Sequence, residues 1–273
     1  MKRQLKALYR LWTRRQQQPD KRPLLINSIP KSGTHLLKNI VLAIPGTHFR
    51  ADLAETAVLP TPHAQLAYLQ AGLYDLRPGV VYIGHIPYSP LVADWLRRQG
   101  VRQLFIYRDP RDYTISLTHY IMRERRNLYD TFATQPDDAA RLLLAICGSG
   151  GGQRAYSYAT PDALPNVHFM YAAFLGWRSE ADVLAVRYED LIGADGATAA
   201  TAVSTLRRIL THLHMPISDT LLDAMRHEGM QPAHSPTYRQ GRSHAWQSEY
   251  RAAHHAAFTA VAPTLLNELG YQP

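Results

Sequence analysis

Residues 24–37, L-L-I-N-S-I-P-K-S-G-T-H-L-L, combine the residue types that proteins use to bind a phosphate or sulfate group. The apolar run from Leu24 to Ile29 predicts a buried strand, a Pro–Gly loop follows it, and Thr34 begins a helical pattern. The first turn of a helix directs several backbone N–H groups at one point, and Lys31 adds a positive charge there. The pattern indicates an anion-binding loop, although Pro and Gly can also be simple turn residues between a strand and a helix.

The position of the lysine distinguishes this loop from the nucleotide-binding sequence G-x-x-x-x-G-K-[ST]. In that motif the lysine directly follows the last glycine. Here Thr34 follows Gly33, and Lys31 lies two residues before the glycine. The spacing therefore indicates a phospho-ligand that need not be ATP with Mg²⁺.

A histidine follows the second predicted strand. His85 stands in Y-I-G-H-I-P-Y (82–88), at the end of the strand and just before a proline-containing turn. A histidine held in this way can act as a general base near neutral pH. Any one of the thirteen histidines could instead be purely structural, and only the position of His85 at the strand end favours catalysis.

An arginine ends the third predicted strand. Arg108 stands in F-I-Y-R-D-P-R-D-Y-T-I-S-L (105–117), and Ser116 lies on the helix that follows. The arginine side chain and the serine hydroxyl can face one pocket and grip a phosphate monoester. The alternative is a turn network of Arg and Asp side chains within residues 108–112.

Two further segments add candidates. Tyr188 ends another strand in A-V-R-Y-E-D-L (185–191), where a tyrosine can flank an adenine ring and donate a hydrogen bond. The basic loop Y-R-Q-G-R-S-H-A-W-Q-S-E-Y (238–250) precedes a C-terminal helix. In it Arg239 and Gly241 can close over a phosphate through a side chain and a backbone N–H.

Alternation of apolar runs and helical patterns predicts the elements that must position these residues. The predicted strands are Leu24–Ile29, Val80–Ile83, Arg102–Tyr107 and Val183–Arg187, and the predicted helices are Thr34–Ala43, Leu91–Gln99, Tyr113–Arg123, Ala197–Leu213 and Asp219–His227. Such alternation is typical of an α/β fold with a parallel sheet and ligand sites at the carboxyl ends of the strands. Residues 44–79 and 124–170 do not fit the scheme, and the glycine stretch 148–152 is either a lid over an acceptor pocket or a loose connection.

Composition narrows the class of protein. The chain has 273 residues, of which 46% are hydrophobic and 19% charged, as in ordinary globular proteins. Its single cysteine, Cys147, excludes an internal disulfide and favours a reducing compartment. There is no Cys/His cluster with zinc spacing, no apolar run of about 18 residues and no apolar leader at the N-terminus. We therefore expect a cytoplasmic protein.

Most of the net charge of +8 lies in the first 22 residues, where eight basic residues and one acidic residue give +7. The remainder carries about +1, so a nucleic-acid-binding surface does not explain the basic composition. Leu5, Leu8, Tyr9 and Trp12 share one helical face, which suits peripheral contact with an anionic membrane through residues 2–15. The alternatives are a helix packed on its own domain and a disordered tail. We divide the chain into this segment, residues 1–22, and one domain, residues 23–273.

Together these blocks resemble the sulfotransferases that use 3′-phosphoadenosine 5′-phosphosulfate (PAPS). I-P-K-S-G-T-H is similar to their 5′-phosphosulfate loop and Y-R-D-P-R-D-Y-T-I-S to their 3′-phosphate motif. G-H-I-P is similar to the segment with their general base, Y-E-D-L to the segment with their adenine-side tyrosine, and R-Q-G-R-S-H-A-W to their closing R-K-G-x-x-G-x-W loop. The blocks follow the family's order from about residue 24 to 250, so the resemblance covers most of the chain.

The resemblance implies a P-loop-like three-layer α/β/α fold and transfer of a sulfuryl group from PAPS to a hydroxyl of an alcohol, phenol, glycan or lipid-linked acceptor. It implies that His85 is the general base and that Lys31 neutralises charge on the bridging oxygen, without a metal. The donor-binding residues it implies are Lys31, Ser32, Gly33, Thr34, His35, Leu36, Arg108, Ser116, Tyr188, Arg239, Gln240 and Gly241.

The sequence also departs from the family pattern. His35 and Leu36 stand where the cytosolic enzymes often have Thr and Trp, and Gln240 replaces a Lys. The chain thus resembles a divergent, bacterial-type member. Two alternatives stay open: a P-loop-like kinase or NTPase that holds Mg²⁺ through Asp109 or Asp190, and a non-catalytic, membrane-associated nucleotide-binding protein.

Overall fold

The computed structural model describes residues 22–53, 59, 61–125, 128–149, 164–193, 199–229 and 243–272. Five strands are present in these residues: β1 Leu24–Ser28, β2 His48–Leu53, β3 Val80–Gly84, β4 Arg102–Tyr107 and β5 Val183–Arg187. The helices on the amino-terminal side of β5 are α1 Thr34–Leu42, α2 Pro62–Gly72, α3 Pro90–Arg98, α4 Pro110–Glu124, α5 Tyr129–Ala133, α6 Asp138–Cys147, α7 Val167–Leu175 and the 3₁₀ turn Gly176–Ser179. The later helices are α8 Tyr188–Ile192, α9 Ala199–His212, α10 Asp219–Gly229, α11 Trp246–Glu249, α12 Ala252–Val261 and α13 Leu265–Leu269.

The five strands form one parallel sheet in the order β2-β3-β1-β4-β5. In the strand order, β3 and β2 lie to one side of β1, and β4 and β5 lie to the other side. The chain therefore passes β1 when it connects β3 to β4. In open sheets of this kind ligands bind where the direction of the connections reverses, outside the carboxyl ends of the strands. That position lies between β1 and β4, which are followed by Lys31 and Arg108 respectively.

Both faces of the sheet are covered by helices. The side chains of β1 point alternately to the two faces, as in any strand. Leu25 therefore joins one apolar core, and Leu24 and Ile26 join the other. The core on the Leu25 face includes side chains of α2, α3, α4, α6 and α7, whereas the opposite core includes those of α1, α9 and α10. The predicted three-layer α/β/α arrangement is confirmed.

The four predicted strands are confirmed to within one residue. The strand β2 and the helix α2, which lie within residues 44–79, were not predicted. β2 was not predicted because it is an edge strand whose first three residues are exposed, so its sequence lacks an apolar run. The predicted helix from Tyr113 begins three residues earlier, at Pro110, because proline suits the first helical position and Asp109 caps the helix by accepting a hydrogen bond from the Arg111 N–H.

In residues 124–170 the structure has the end of α4, helices α5 and α6, and the start of α7. Most of the glycine stretch 148–152 lies outside the described residues, as do residues 1–21, on which the membrane hypothesis depends. Among the helices of the described residues none is long and apolar enough to cross a membrane.

Candidate active site

The loop between β1 and α1 adopts an unusual backbone conformation. Lys31 and Gly33 both lie in the left-handed region, with φ of 64° and 98°, and helix α1 begins at the next residue, Thr34. The initial N–H groups of a helix have no acceptor within the helix, so this turn provides donors for an anion. A side chain at Gly33 would be obstructed, because a Cβ atom there would lie 2.6 Å from the ring of Tyr188.

The segment that carries His85 is fixed to the end of β1. The side-chain amide of Asn27 donates to the Ile86 carbonyl at 3.1 Å and its oxygen accepts from the Ile86 N–H at 2.8 Å. The Trp177 indole N–H donates to the same carbonyl at 2.8 Å. Asn27, Ile86 and Trp177 are all fully buried, so the backbone that follows β3 has a single position relative to the anion-binding loop.

The contacts of His85 favour one tautomer. Nδ1 lies 3.1 Å from the carbonyl oxygen of Ser28 and 2.9 Å from its hydroxyl. A carbonyl oxygen can only accept a hydrogen bond, so the Ser28 carbonyl favours the tautomer with the proton on Nδ1 and the lone pair on Nε2, whereas the Ser28 hydroxyl fits either tautomer. Burial lowers the pKa of His85 below its usual value of 6.5. The ring is therefore neutral at pH 7, as a general base must be.

The hydroxyl of Ser28 connects the two parts of the site. It lies 2.6 Å from the hydroxyl of Thr34, the first residue of α1, and 2.9 Å from His85 Nδ1. Ser28 is fully buried and Thr34 nearly so. The His85 ring and the first residue of α1 thus share one hydrogen-bond network at the carboxyl edge of the sheet.

Lys31 lies across the ring of Tyr120, with Nζ 3.9 Å from the ring centroid. Tyr120 belongs to helix α4, so this cation–π contact ties the loop after β1 to that helix. Burial, together with the nearby charge of Arg123, lowers the pKa of Lys31 from 10.5 to about 8. The lysine is a poorly solvated cation that an anionic ligand would stabilise.

The remaining residues of the loop occupy different environments. Ser32 is fully buried, and its N–H donates to the Ile29 carbonyl at 3.2 Å, which closes the turn. His35 is half-buried, and its Nδ1 is inaccessible to solvent and makes no hydrogen bond. Burial lowers the pKa of this histidine, and nearby Lys38 lowers it further. Leu36 is half-buried against the core on the α1 face of the sheet.

Arg108 lies between an aromatic ring and a carboxylate. Its guanidinium carbon is 4.6 Å from the centroid of the Tyr188 ring, and its Nη2 donates to Asp112 at 3.3 Å. The arginine side chain is 11% exposed and the aspartate side chain is completely buried. Ser116 is half-exposed and lies one helical turn after Asp112 on α4, so it shares that helix face. The structure thus brings Arg108, Tyr188 and the Ser116 face together beside the β1 loop.

Asp112 also anchors the segment before α11. Its two carboxylate oxygens accept hydrogen bonds from the backbone N–H groups of His244 and Trp246, at 2.8 and 3.2 Å. The Trp246 ring lies 3.7 Å from the guanidinium carbon of Arg111. The described end of the predicted closing loop is therefore attached to the start of α4. Arg239, Gln240 and Gly241 lie outside the described residues.

The turn network that was the alternative to a phosphate site also exists. Arg111 forms a two-pronged ion pair with Asp109, with contacts of 2.8 to 3.3 Å, and both side chains are buried. The two interpretations of residues 108–112 are compatible, because Arg111 pairs inside the turn whereas Arg108 lies against Tyr188. This ion pair occupies Asp109, one of the two aspartates considered for a Mg²⁺ site.

Sequence reasoning missed several residues that hold the site together. Glu189, which is 1% exposed, accepts a hydrogen bond from the Asp109 N–H at 3.0 Å and one from the Tyr271 hydroxyl at 2.7 Å. The Tyr171 hydroxyl donates to the Arg108 carbonyl at 2.8 Å. A charged residue directly after the Tyr188 strand end was a visible signal for Glu189, but nothing local indicated Tyr171 or Tyr271. No cluster of three or more His, Cys, Asp or Glu side chains that could hold a metal ion occurs within the described ranges.

A doubly covered parallel sheet with an anion-binding loop after its first strand defines a P-loop-like α/β class. No family model matches the chain. A stretch of 109 residues, 37% of the chain, is 28% identical to Cytosolic sulfotransferase 16 of Arabidopsis thaliana. The match spans about a third, 32%, of the length of that curated relative.

Solved structures share the fold over a much larger part of the chain. Mouse sulfotransferase SULT7A1, crystallised with PAP (adenosine 3′,5′-bisphosphate), superposes with a TM-score of 0.62 and 15% identity over 95% of this chain and 90% of that one. Retinol dehydratase, crystallised with androsterone and the inactive cofactor PAP, gives a TM-score of 0.57 and 15% identity over 90% and 81%. These similarities confirm the predicted fold and agree with the resemblance carried by the sequence motifs.

Proposed function

We propose that this chain transfers a sulfuryl group from PAPS to a hydroxyl group of a small-molecule acceptor. The observation that carries the proposal is the Ser28 hydroxyl, which lies 2.6 Å from Thr34 at the start of the anion-binding helix and 2.9 Å from His85. A base beside an anion-binding helix terminus is the arrangement that this transfer needs, because the acceptor must approach the sulfur in line with the leaving oxygen.

The donor-binding residues suit a ligand with two separated anionic groups. Lys31 and the start of α1 form one positive region, and Arg108 beside the Ser116 face of α4 forms a second. His35 Nδ1 is buried without a hydrogen bond, and the close approach of Tyr188 leaves no room for a side chain at Gly33. In this proposal the 5′-phosphosulfate of PAPS binds at Lys31 and the start of α1. The 3′-phosphate binds at Arg108, next to Tyr188.

In this proposal the chain's own side chains direct the chemistry. PAPS supplies a sulfuryl group attached to a phosphate leaving group. His85 Nε2 accepts the proton of the acceptor hydroxyl while the new O–S bond forms and the S–O bond to the phosphate breaks. Lys31 and the N–H groups at the start of α1 stabilise the negative charge that develops on the departing oxygen.

The acceptor is proposed only as a small molecule with a hydroxyl group. Retinol dehydratase has been crystallised with androsterone and with retinol, which are small molecules of this kind. Glycan or lipid-linked acceptors, peripheral membrane contact through residues 2–15 and a cytoplasmic location stay predictions from the sequence.

Two measurements test the proposal. Calorimetry should show binding of PAP without added metal and much weaker binding of ATP with Mg²⁺. Incubation with ³⁵S-labelled PAPS and pooled phenols and alcohols should give labelled product that requires the protein. Preference for ATP with Mg²⁺ would favour the kinase alternative, and PAP binding with no transfer to any pool would favour a non-catalytic binder.

A further inference from the structure

We propose that Tyr271 and Glu189 are positioning residues for the donor's 3′-phosphate, because they fix the peptide group that follows Arg108. The inference rests on the proposed function, in which Arg108 binds that phosphate. Neither residue touches the donor in this proposal, and both act through the backbone of the turn between β4 and α4.

The peptide group between Arg108 and Asp109 is held at both of its polar atoms. Its carbonyl oxygen, on Arg108, accepts a hydrogen bond of 2.8 Å from the Tyr171 hydroxyl. Its N–H, on Asp109, donates a hydrogen bond of 3.0 Å to the Glu189 carboxylate. A peptide group is planar, so two such bonds determine its rotation and the direction in which the arginine leaves the main chain.

Tyr271 determines where the Glu189 carboxylate can lie. Its hydroxyl donates to the second carboxylate oxygen at 2.7 Å across 82 residues of sequence. The Tyr271 ring is in turn covered by the guanidinium of Arg187, 4.2 Å from its centroid. The carboxylate thus has a partner distant in sequence on each oxygen, and the Glu189 N–H and the Arg108 charge also hold it. Removal of the Tyr271 hydroxyl loosens the carboxylate, which weakens its bond to the Asp109 N–H.

Burial argues for a positional role of this network. Glu189 is 1% exposed and Tyr271 is 4% exposed. Burying a carboxylate costs free energy, and a set of apolar residues in place of such a buried polar network often gives a core of similar stability. A buried carboxylate directly beneath a ligand-binding arginine is more easily explained by the orientation it imposes and by its attraction for the Arg108 charge.

The same segment supports Arg108 from a second direction. Tyr188, the neighbour of Glu189, lies 4.6 Å from the Arg108 guanidinium carbon. Tyr188 therefore packs on the guanidinium group of Arg108, and Glu189 fixes the peptide group that follows Arg108. A shift of the Glu189 backbone would alter both contacts at once.

The test compares Tyr271→Phe with the matched control Tyr82→Phe. Each variant removes one buried tyrosine hydroxyl. The Tyr82 hydroxyl accepts from the Asp75 N–H and donates to the Asp75 carbonyl, at 3.1 Å each, so this control loses at least as many hydrogen bonds as Tyr271→Phe. Binding of PAP and of adenosine 5′-phosphate, which lacks the 3′-phosphate, is measured by calorimetry for both variants and the unmodified chain. We expect Tyr271→Phe to weaken PAP about 3- to 10-fold, the range for one lost hydrogen bond, and to leave adenosine 5′-phosphate within about twofold. Tyr82→Phe should change neither.

Kinetics and a second substitution separate positioning from general stability. Tyr271→Phe should raise KM for PAPS by the same factor and leave kcat within about twofold, because the reacting atoms are not involved. Glu189→Gln keeps an acceptor for the Asp109 N–H and a polar partner for Tyr271, so it should retain more PAP affinity than Glu189→Ala.

Three results would overturn the inference. One is unchanged PAP affinity in Tyr271→Phe, and another is an equal loss for both nucleotides, which would indicate general destabilisation. The third is failure of the unmodified chain to bind PAP, which would refute the proposed function and this inference with it. Failure of the proposed function can be told apart from failure of this inference, because it is measured on the unmodified chain.

Discussion

The β4–β5 side of the sheet and the β2–β3 side are built differently. On the β4–β5 side, the turn after β4 contains the buried Arg111–Asp109 ion pair and the Asp112 carboxylate, and Glu189 beneath it has a hydrogen bond on each oxygen. On the β2–β3 side, the edge strand β2 exposes most of its residues, and Tyr74, in the connection between α2 and β3, is 63% exposed. The buried polar contacts of this side include those of Asn27 and Ser28 with the segment that carries His85, whereas the edge itself is solvated.

The difference agrees with the proposed reaction, in which the β4–β5 side binds the donor and the β2–β3 side receives the acceptor. A donor of fixed chemical structure is best held by preorganised groups, because little entropy is then lost when it binds. The exposed β2 edge can accommodate different acceptors, while the buried contacts of Asn27 hold the segment that carries His85 in place. Four predictions test this division, beginning with the residue at the boundary.

Replacing His85 with Ala should separate the two sides most clearly. Turnover should fall by about 10²- to 10⁴-fold, the usual contribution of a general base, because no other group takes up the acceptor proton. PAP affinity should stay within about twofold, since the donor-binding groups follow β1 and β4. Labelled-PAPS turnover and PAP calorimetry measure the two effects. His63→Ala, which removes an exposed histidine of α2, is the control. Retained turnover in His85→Ala would refute its assignment as the base.

Replacing Gly33 with Ala should damage donor binding. Gly33 has φ +98°, and a Cβ atom there would lie 2.6 Å from the ring of Tyr188. Gly100→Ala is a matched control, because that glycine also has a positive φ, +68°, but its Cβ would be 3.9 Å from the nearest atom. Both variants should lose about 1 kcal/mol or more of stability through backbone strain, and only Gly33→Ala should also lose about tenfold in PAP affinity. Equal PAP affinities for the two variants would contradict the close packing of Tyr188.

The pH dependence of PAP binding should report the state of Lys31. The pKa of this lysine is lowered to about 8 in the free protein, and a bound anion raises it because it favours the charged form. Binding is therefore accompanied by proton uptake near and above pH 8. PAP affinity should fall roughly three- to tenfold between pH 7 and 9, where the phosphates of PAP keep their charge. Calorimetry in buffers of different ionisation enthalpy measures the uptake, and Lys31→Met should abolish it. Proton uptake that persisted in Lys31→Met would assign it to another group.

The smallest effect is expected on the exposed side. Tyr74→Ser removes a ring that lies 4.7 Å from the Arg50 guanidinium carbon, a solvent-exposed contact. The free energy of unfolding should change by less than about 0.5 kcal/mol, and PAP affinity should not change. Chemical denaturation and calorimetry check both. A tenfold loss of PAP affinity would show that the two sides are coupled.

The sequence allowed the central strands and the chemical motifs to be predicted because both are local signals. β1, β3 and β4 are buried along their whole length, so they are uninterrupted or nearly uninterrupted apolar runs, and the anion-binding loop is marked by Pro30, Lys31 and Gly33 within a few residues. The edge strand β2 could not be predicted, because its exposure removes the apolar pattern that identifies a strand.

The support for the motifs could not be predicted, because it depends on contacts distant in sequence. Asn27 looks like an ordinary strand residue, yet it binds Ile86 from 59 residues away. Glu189 and Tyr271 are separated by 82 residues. Only the fold brings such partners together, and their polar groups become significant only once they are buried.

The attachment of Trp246 to the start of α4 has an optical consequence. Its indole ring stacks on Arg111, and its backbone N–H donates to Asp112, the carboxylate that also pairs with Arg108. Indole emission is sensitive to neighbouring charges, so a phosphate that binds at Arg108 should change the fluorescence of Trp246 through this short chain of contacts. The protein then contains its own reporter of donor binding, and a Trp246→Phe variant would identify the signal. Stopped-flow mixing could follow the arrival and departure of PAP without a label.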